Sequence, residues 1–298
     1  MTKQERHGED EVLDRYYQLL VADPSQWALG RKGGRYIRLK RPFTAQVRDQ
    51  MLQGQLSVAL YMLTPHGHAI QGVVDSDKEE GLVDLQRLGH KLREFGLNPI
   101  LEASRRGGHL RIFHQPISPA VTTLLLHKSA ALFSIEADIF PRGKGLSAVR
   151  APFSVHPKTW ERYPLLHLDT LQPVAGTLEG QLRFLSSVKR PSAETMANAL
   201  ASVLAEADKP ARPQFSGSLR DKPEILTVVS QDLAVKRVGK YYRALCPFHD
   251  DTEPSLVLYP ETGTFFCFGC RKTGDAIHYM ALRQGVRDGE IIKGLKGN

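Results

Sequence analysis

The stretch Val73-Val74-Asp75-Ser76-Asp77, followed by an amphipathic run over residues 79–95, decides how the first half of the chain is read. The apolar run over 69–74 predicts a strand. Leu82, Leu85, Leu88, Leu92 and Phe95, at steps of three and four, predict the helix that follows it. Gly96 then stands where a helix C′ residue is expected. Toward the N-terminus, residues 57–63 read as another strand, and Leu13, Tyr16, Tyr17, Leu19 and Leu20 predict a helical entry over 1–26. Toward the C-terminus, 99–104 and 109–114 read as two strands around Arg105-Arg106-Gly107-Gly108, a hairpin whose glycines tolerate positive φ. A helix over 118–133 and strands over 135–140 and 146–151 complete the series. Strand, helix, hairpin, helix and strand predict an α+β sandwich in which one sheet is covered on one face.

The chain has 298 residues, which at roughly 100–200 residues per domain predicts two domains. With 41% hydrophobic and 24% charged residues, a wholly disordered chain is excluded. Lys and Arg total 40 against 32 acids, a net charge of +8. A basic balance of this size suits a polyanionic partner, because clustered cations release counterions from phosphates; a merely basic globular protein is the alternative. No apolar run approaches the ~20 residues of a membrane span. The first dozen residues lack the apolar core of a signal peptide, and three cysteines are too few for a disulfide framework, so a reducing cytoplasm is expected.

Residues 30–41 carry Arg31, Lys32, Arg35, Arg38, Lys40 and Arg41 without an acid, with Tyr36 and Ile37 among them. A β-hairpin presenting cations to DNA is one reading, and a solvated charged face is the other. Past residue 180, Ala193–Ala207 reads as an Ala-rich helix, and 208–223, with three prolines, reads as a linker. The expected division is therefore a domain over 1–180, a helix and linker over 181–222, and a small unit over 223–298. No internal repeat and no Gly-x4-Gly-Lys-Ser/Thr phosphate loop is present.

In the last unit Cys246-Pro-Phe-His249 is followed, seventeen residues on, by Cys267-Phe-Gly-Cys270. Pairs with two residues between them turn on tight knuckles and can converge on one tetrahedral zinc. All four positions are filled by protein, so the expected site is structural and closed, and the metal would hold a ribbon whose core is too small to fold alone. Phe248, Phe265, Phe266, Phe268 and Tyr259, interleaved with Lys240, Arg243, Arg271 and Lys272, could stack on single-stranded bases, or the aromatics could fill the ribbon's core. Together with Thr252-Glu253-Pro254-Ser255-Leu256 and Gly274-Asp275-Ala276-Ile277, these motifs resemble the zinc ribbon of bacterial replicative primases over about residues 224–281. That resemblance implies a ribbon that binds template DNA and helps choose start sites.

In the first unit Asp75 and Asp77 stand at i and i+2, which in a strand points both carboxylates to one face, where they could hold Mg²⁺ or Mn²⁺. Asp77 could instead cap the following helix, with Glu80 completing a capping box. Ser104, Arg105, Arg106, Gly108 and His109 gather a hydroxyl, cations, backbone N–H groups and an imidazole in one turn, a possible phosphate cradle. Asp138, or Glu136 two residues before it, adds a third acid, and Arg142, Lys144 and Arg150 follow. The order Asp75-x-Asp77, then Ser104 to His109, then Asp138 with Phe140-Pro141, resembles the catalytic core of the archaeo-eukaryotic primase superfamily over about residues 10–170. The resemblance implies an RRM-like antiparallel sheet with helices. It also implies that Asp75, Asp77 and Asp138 are ligands of catalytic Mg²⁺ or Mn²⁺ and that His109 contacts the incoming triphosphate.

The expected function is that of a DNA primase-polymerase, making primers on single-stranded DNA from nucleoside triphosphates for a mobile element, plasmid or phage. Arg105, Arg106, Lys144 and Arg150 would add phosphate contacts, and a separate helicase would serve as partner. The alternatives are a polymerase that extends or repairs without initiating, a non-catalytic zinc-containing DNA-binding protein, and a metal-dependent nuclease.

Overall fold

The structure, a computed structural model, describes residues 3–78, 81–142, 147–207, 223–270 and 272–296. The chain splits into two compact units, Met1–Pro210 and Ala211–Asn298.

The first unit runs α1 (Lys3–Leu20), β1 (Trp27–Gly30), β2 (Tyr36–Leu39), α2 (Ala45–Leu52), β3 (Ser57–Tyr61), β4 (Ala69–Ser76), α3 (Gly81–Glu94), β5 (Ile100–Ala103), β6 (Gly108–Ile117), α4 (Pro119–Ala131), β7 (Asp138–Phe140), β8 (Ala148–Arg150), β9 (Leu165–Leu166), α5 (Leu178–Ser186) and α6 (Ala193–Ala207). Its strands form two sheets, β7-β4-β6-β5-β9 and β2-β1-β3-β8. Every pairing is antiparallel. The segment β4-α3-β5-β6-α4-β7 places β6 between β4 and β5, which is the split β-α-β arrangement.

The single sheet covered on one face is corrected in two respects. The strand expected over 146–151 forms β8, which pairs with β3 (Ala59 opposite Arg150) and so belongs to the second sheet. Apolar alternation fixes which face of a strand is buried and leaves open which edge it joins. Both faces of the five-stranded sheet are also covered. On one, Val74, Leu110 and Ile112 share a core with Leu85 and Leu88 of α3, Leu125 and Leu126 of α4, and Met196 and Val203 of α6. On the other, Ile100 and Phe113 pack with Val58 and Leu60 of β3, Trp27 of β1, Tyr16 and Leu19 of α1, and Leu185 of α5.

The sequence-based boundary at residue 180 falls inside this unit, because Met196, Ala199 and Val203 of α6 are fully buried in the first of these cores. The expected linker lies, up to residue 222, outside the described residues, as does Glu80 of the expected capping box. Gly96 ends α3 with φ 79°, as a C′ glycine does.

Gly72 lets α4 approach β4 closely: a Cβ there would lie 2.6 Å from Thr122 Cγ2 and 2.7 Å from Leu126 Cδ1. Nearby, the His114 imidazole is buried between the Thr122 hydroxyl (3.0 Å) and the Gln115 carbonyl (2.8 Å). Burial pushes its pKa down to about 4, with the charge of Arg190 acting in the same direction.

The second unit runs α7 (Ile225–Asp232), β10 (Lys236–Val238), β11 (Tyr241–Ala244), β12 (Leu256–Tyr259), β13 (Thr264–Cys267), β14 (Thr273–Asp275), α8 (Ala276–Gln284) and α9 (Asp288–Lys296). Its five strands form an antiparallel meander in chain order. Leu256, Leu258, Phe265, Tyr279 and Val229 form its small core. The Asp275 side chain caps α8 by accepting from His278 N (2.9 Å), and Gly285, at φ 68°, ends it. Among the described residues, no helix is long and apolar enough to cross a membrane.

Two outcomes follow from this packing. Gly72→Val should destabilise the first unit by about 1–3 kcal/mol in chemical denaturation, because an isopropyl group must fit where two side chains already meet. His114 is held neutral in the fold and takes up a proton on unfolding, so its contribution is present above about pH 6.5 and is lost as pH falls toward 4. His114→Gln should flatten the stability profile between those values by as much as ~1.4 kcal/mol per pH unit, read from denaturation midpoints across pH.

Candidate active site and metal centre

The register of the five-stranded sheet lines up four ionisable side chains. Asp75 on β4 lies opposite Asp138 on β7 and opposite His109 on β6. His109 in turn lies opposite Glu102 on β5. Residues directly opposite in a sheet share a face, so Asp138, Asp75, His109 and Glu102 form one row across four strands. Side-chain exposure falls along it, from 66% at Asp138 through 27% at Asp75 and 7% at His109 to 0% at Glu102.

Asp75 and His109 of this row line a cleft of about 260 Å³. Asp75, Asp77, Ser104, Arg105 and His109 line one part of it. Gly34 and Tyr36, from the β1–β2 hairpin, line another, together with His156 and Lys158. The acids Asp75 and Asp77 therefore face a space shared with Arg105, Lys158 and His156. Burial lowers the His156 pKa, and Arg150, Arg105 and Lys158 lower it further.

The inner end of the row is a charge cluster. His109 Nδ1 is 3.1 Å from Glu102 Oε2, Arg111 Nε donates to the same oxygen at 3.0 Å, and Arg150 Nη2 is 2.8 Å from Glu102 Oε1. Arg111 Nη2 also donates to the Arg150 carbonyl at 2.6 Å. Burial alone would push the Glu102 pKa up, but Arg150 and Arg111, followed by His109, hold it well below the usual carboxylate range. Glu102 and Arg111 were absent from the sequence-derived site. Their signal was present as charges inside otherwise apolar strands, with His109 and Arg111 at i and i+2.

Asp75 Oδ1 is buried and lacks a hydrogen-bond partner, with His109 Nε2 3.4 Å away. An orphaned carboxylate oxygen facing a cleft fits a hard cation. The expected convergence of three acids is not seen. Asp77 Oδ2 accepts from Arg106 Nη2 (2.8 Å), and Asp138 Oδ1 is 2.6 Å from Arg142 Nη2, so each exposed carboxylate takes the nearest guanidinium. Glu136 pairs with Lys78 at 2.7 Å.

Ser104 N donates to the Gly107 carbonyl (2.9 Å), closing the turn beside the cleft. Neither Gly107 nor Gly108 has positive φ. They are glycines because the turn presses on neighbouring chain: a Cβ on Gly107 would lie 1.9 Å from the Ser76 carbonyl oxygen, and one on Gly108 2.7 Å from that of Glu102. Arg150 is buried with its guanidinium on Glu102 and on the Ser154 carbonyl (3.1 Å), which differs from the free phosphate contact expected of it. Lys144 and Arg271 lie outside the described residues.

Residues 30–41 do fold as a hairpin, with Gly30 opposite Tyr36, and Arg31, Lys32, Arg35, Arg38, Lys40 and Arg41 are all exposed on it. Arg38 also donates to Gln26 Oε1 (2.7 Å), and Arg41 lies 5.3 Å over the Trp27 ring.

In the second unit, Cys246, His249, Cys267 and Cys270 each present one ligand atom within 4.8 Å of the others. Cys246 Sγ is 3.8 Å from Cys270 Sγ, and His249 Nδ1 is 3.8 Å from Cys267 Sγ. A zinc tetrahedron with Zn–S of ~2.3 Å has edges of about 3.8 Å, so the four residues fit one ion. Asp251 organises the first knuckle: its Oδ2 accepts from Cys246 N (2.6 Å) and from the Ser255 hydroxyl (2.6 Å), and its Oδ1 is 3.6 Å from His249 Nε2. Gly269 is required because a Cβ there would lie 2.3 Å from His249 Nε2. Of the aromatics, Phe265, Tyr259 and Phe268 are buried. Phe248 packs on Phe265 and Tyr279, with Lys272 Nζ 5.1 Å over its ring. Arg243 is half-buried on β11, so most of the expected DNA-stacking set is internal.

Comparison with known proteins divides in the same way. Residues 211–295 match the CHC2 zinc finger family. Over 75 residues the chain is 37% identical to a DNA primase of Chlamydia trachomatis, an alignment that covers 25% of this chain and 13% of that primase. The chain thus spans a small fraction of that relative's length. Among solved structures, the AEP domain of the cyanophage S-2L primase-polymerase is similar at 16% identity and a TM-score of 0.35, over 59% of this chain and 97% of that one. The polymerase domain of ligase D from Mycobacterium tuberculosis, solved in complex with DNA, is similar at 13% identity and a TM-score of 0.32, over 67% and 90% respectively.

The purified chain should carry one zinc. Removing it with a strong chelator should raise amide exchange across 223–296 while leaving the first unit protected. Asp251→Asn should weaken zinc binding about 10–100-fold in competition with a chromophoric chelator, since it removes the charge behind His249 and Cys246.

Proposed function

We propose that the chain is a DNA primase-polymerase, joining nucleoside triphosphates on a single-stranded DNA template and able to start without a primer. The observation that carries this reading is that Asp75, Asp77 and His109 line one cleft with Arg105 and Lys158, with Asp138 opposite Asp75 on the neighbouring strand. A polyphosphate needs cations and N–H donors, and a divalent ion needs carboxylates, so a cleft offering both suits a nucleoside triphosphate with its metal. The primase zinc finger on the same chain supports the reading from an independent direction.

In this reading Asp75, with Asp77 and Asp138 released from their arginines, holds Mg²⁺ or Mn²⁺. When bound, such ions lower the pKa of an attacking 3′-hydroxyl and offset charge on the departing pyrophosphate. His109 Nε2 faces the same space and orients a phosphate oxygen, with Arg105 and the Ser104 hydroxyl beside it. Arg106 is freed for the triphosphate once Asp77 turns to the cation. The exposed cations of the β1–β2 hairpin, which borders the cleft, hold the template backbone. The zinc ribbon binds template near the start site. A mobile element, plasmid or phage is the proposed setting, and a separate helicase, which would open the duplex, the proposed partner.

Incubation of the full chain with a single-stranded template, Mn²⁺ and labelled nucleotides, without primer, should give short products on a denaturing gel. Asp75→Ala should reduce both initiation and extension by about 10²–10³-fold or more. Removal of residues 223–298 should abolish initiation and spare extension of an annealed primer. If the intact chain incorporates no nucleotide with or without a primer, the catalytic reading is wrong.

A further inference from the structure

The chain has two tryptophans, and the fold treats them oppositely. Trp27 is fully buried in the core behind the five-stranded sheet, whereas Trp160 is 40% exposed. Trp160 also has a positive φ, at 60°. A bulky residue rarely adopts this left-handed conformation, which glycine would adopt freely. Among the described residues, the Trp160 indole has no hydrogen-bond partner and no ring packed on it. The position therefore keeps a large aromatic side chain against the preference of its own backbone, and the core makes no use of it.

The surroundings give the indole a neighbourhood. His156 N donates to the Glu161 carbonyl and Trp160 N to the His156 carbonyl, both at 2.8 Å, which closes residues 156–161 into a turn. Arg162 anchors its far end by donating from Nε to the Phe153 carbonyl (2.8 Å). The turn rests on the β1–β2 hairpin: a Cβ on Gly30 would lie 3.1 Å from Pro157 Cβ, and the Lys158 stem lies across Gly34. The hairpin loop it touches carries Arg31, Lys32 and Arg35, all exposed. The same turn lines the cleft through His156, Pro157 and Lys158. Its acid, Glu161, accepts from the Tyr163 hydroxyl (3.1 Å).

Resting on the reading of the cleft given above, we propose that Trp160 is a stacking platform for one unpaired base of a single strand, whose flanking phosphates lie on Lys158 and the cations of the hairpin loop. A single strand offers open base faces beside closely spaced phosphates, and an exposed indole next to a cluster of cations matches both. A protein partner is the competing occupant. A protein interface has an apolar centre, whereas Lys158, Thr159, Glu161 and Arg162 around this indole are polar and exposed. Trp160 does not line the cleft, so the base it holds belongs to the strand and not to the incoming nucleotide.

The test is tryptophan fluorescence of the full chain titrated with oligothymidylate, without metal or nucleotide. Trp27 is buried and residues 211–298 contain no tryptophan, so a change in emission reports Trp160 even if the zinc ribbon binds the same strand. The single strand should quench the emission, and a duplex of the same length should not, because its base faces are already stacked. Trp160→Ala should weaken binding, followed by the anisotropy of a labelled oligonucleotide at fixed salt, about 5–150-fold. Its salt dependence should stay that of the wild type, since no phosphate contact is removed. Trp160→Phe keeps an aromatic face and should retain most of the affinity while losing the signal. Binding without quenching, equal quenching by duplex, no binding at all, or an unchanged affinity in Trp160→Ala each overturn the proposal. A chain that is quenched as expected but polymerises nothing sinks the catalytic reading and leaves the stacking role standing; one that polymerises without quenching sinks the stacking role alone.

Discussion

The first unit depends on one buried carboxylate. Glu102 on β5 is met by Arg111 from the adjacent strand and by Arg150 from the other sheet, and the two sheets are joined by charge as well as by the apolar core around Phe113, Val58 and Trp27. Burying three charges costs a large desolvation energy, which the close N···O distances offset without making the cluster a net source of stability. Its effect is on geometry. Removing Glu102 would strand two buried guanidinium charges, at a cost of ~3–5 kcal/mol, so the strands that carry Asp75 and His109 are held to one arrangement.

The second unit meets a different constraint with different means. A core of about ten side chains cannot offset the conformational entropy of some seventy ordered residues, so the four metal ligands carry what packing cannot. Asp251 links the two solutions. It ties Cys246 and Ser255 into one knuckle by backbone hydrogen bonds while facing His249. Without a metal, burial raises the Cys246 thiol pKa. Burial also opposes ionisation of Cys267, but the Ser255 hydroxyl and the Cys270 N–H outweigh it and favour the thiolate.

Local features were legible in the sequence where a single period carries them. The helical steps of Leu82 to Phe95, the hairpin at 105–108, the cationic hairpin over 30–41 and the knuckle spacing of the cysteines all read through directly. The strand reading of Asp75 and Asp77 met a limit: β4 ends at Ser76, although both residues line the same cleft. Long-range choices were not legible. Nothing in 146–151 says that its partner is β3, and nothing in the Ala-rich stretch 193–207 says that it seals the first core. Glu102 and Arg111 are hidden in the sequence for a related reason. Each is unremarked as a lone charge, and their meaning arises from a register that only the folded sheet supplies. In the sequence Gly107 and Gly108 read as positions needing a free backbone, whereas close approach of neighbouring chain is what excludes a side chain there.

That close approach has a mechanical consequence. With Gly107 wedged against the carbonyls of Ser76 and Lys78, the turn carrying Ser104 and Arg105 packs directly on the end of the strand that carries Asp75. The opposite rim is built differently. Gly33 and Gly34, at φ 100° and 95°, form an open loop tip, and the Lys158 stem lies across Gly34 where a Cβ would have been. The cleft thus has a floor with no spare room, where Gly107 admits no side chain, and a rim lined by Gly34 and Lys158.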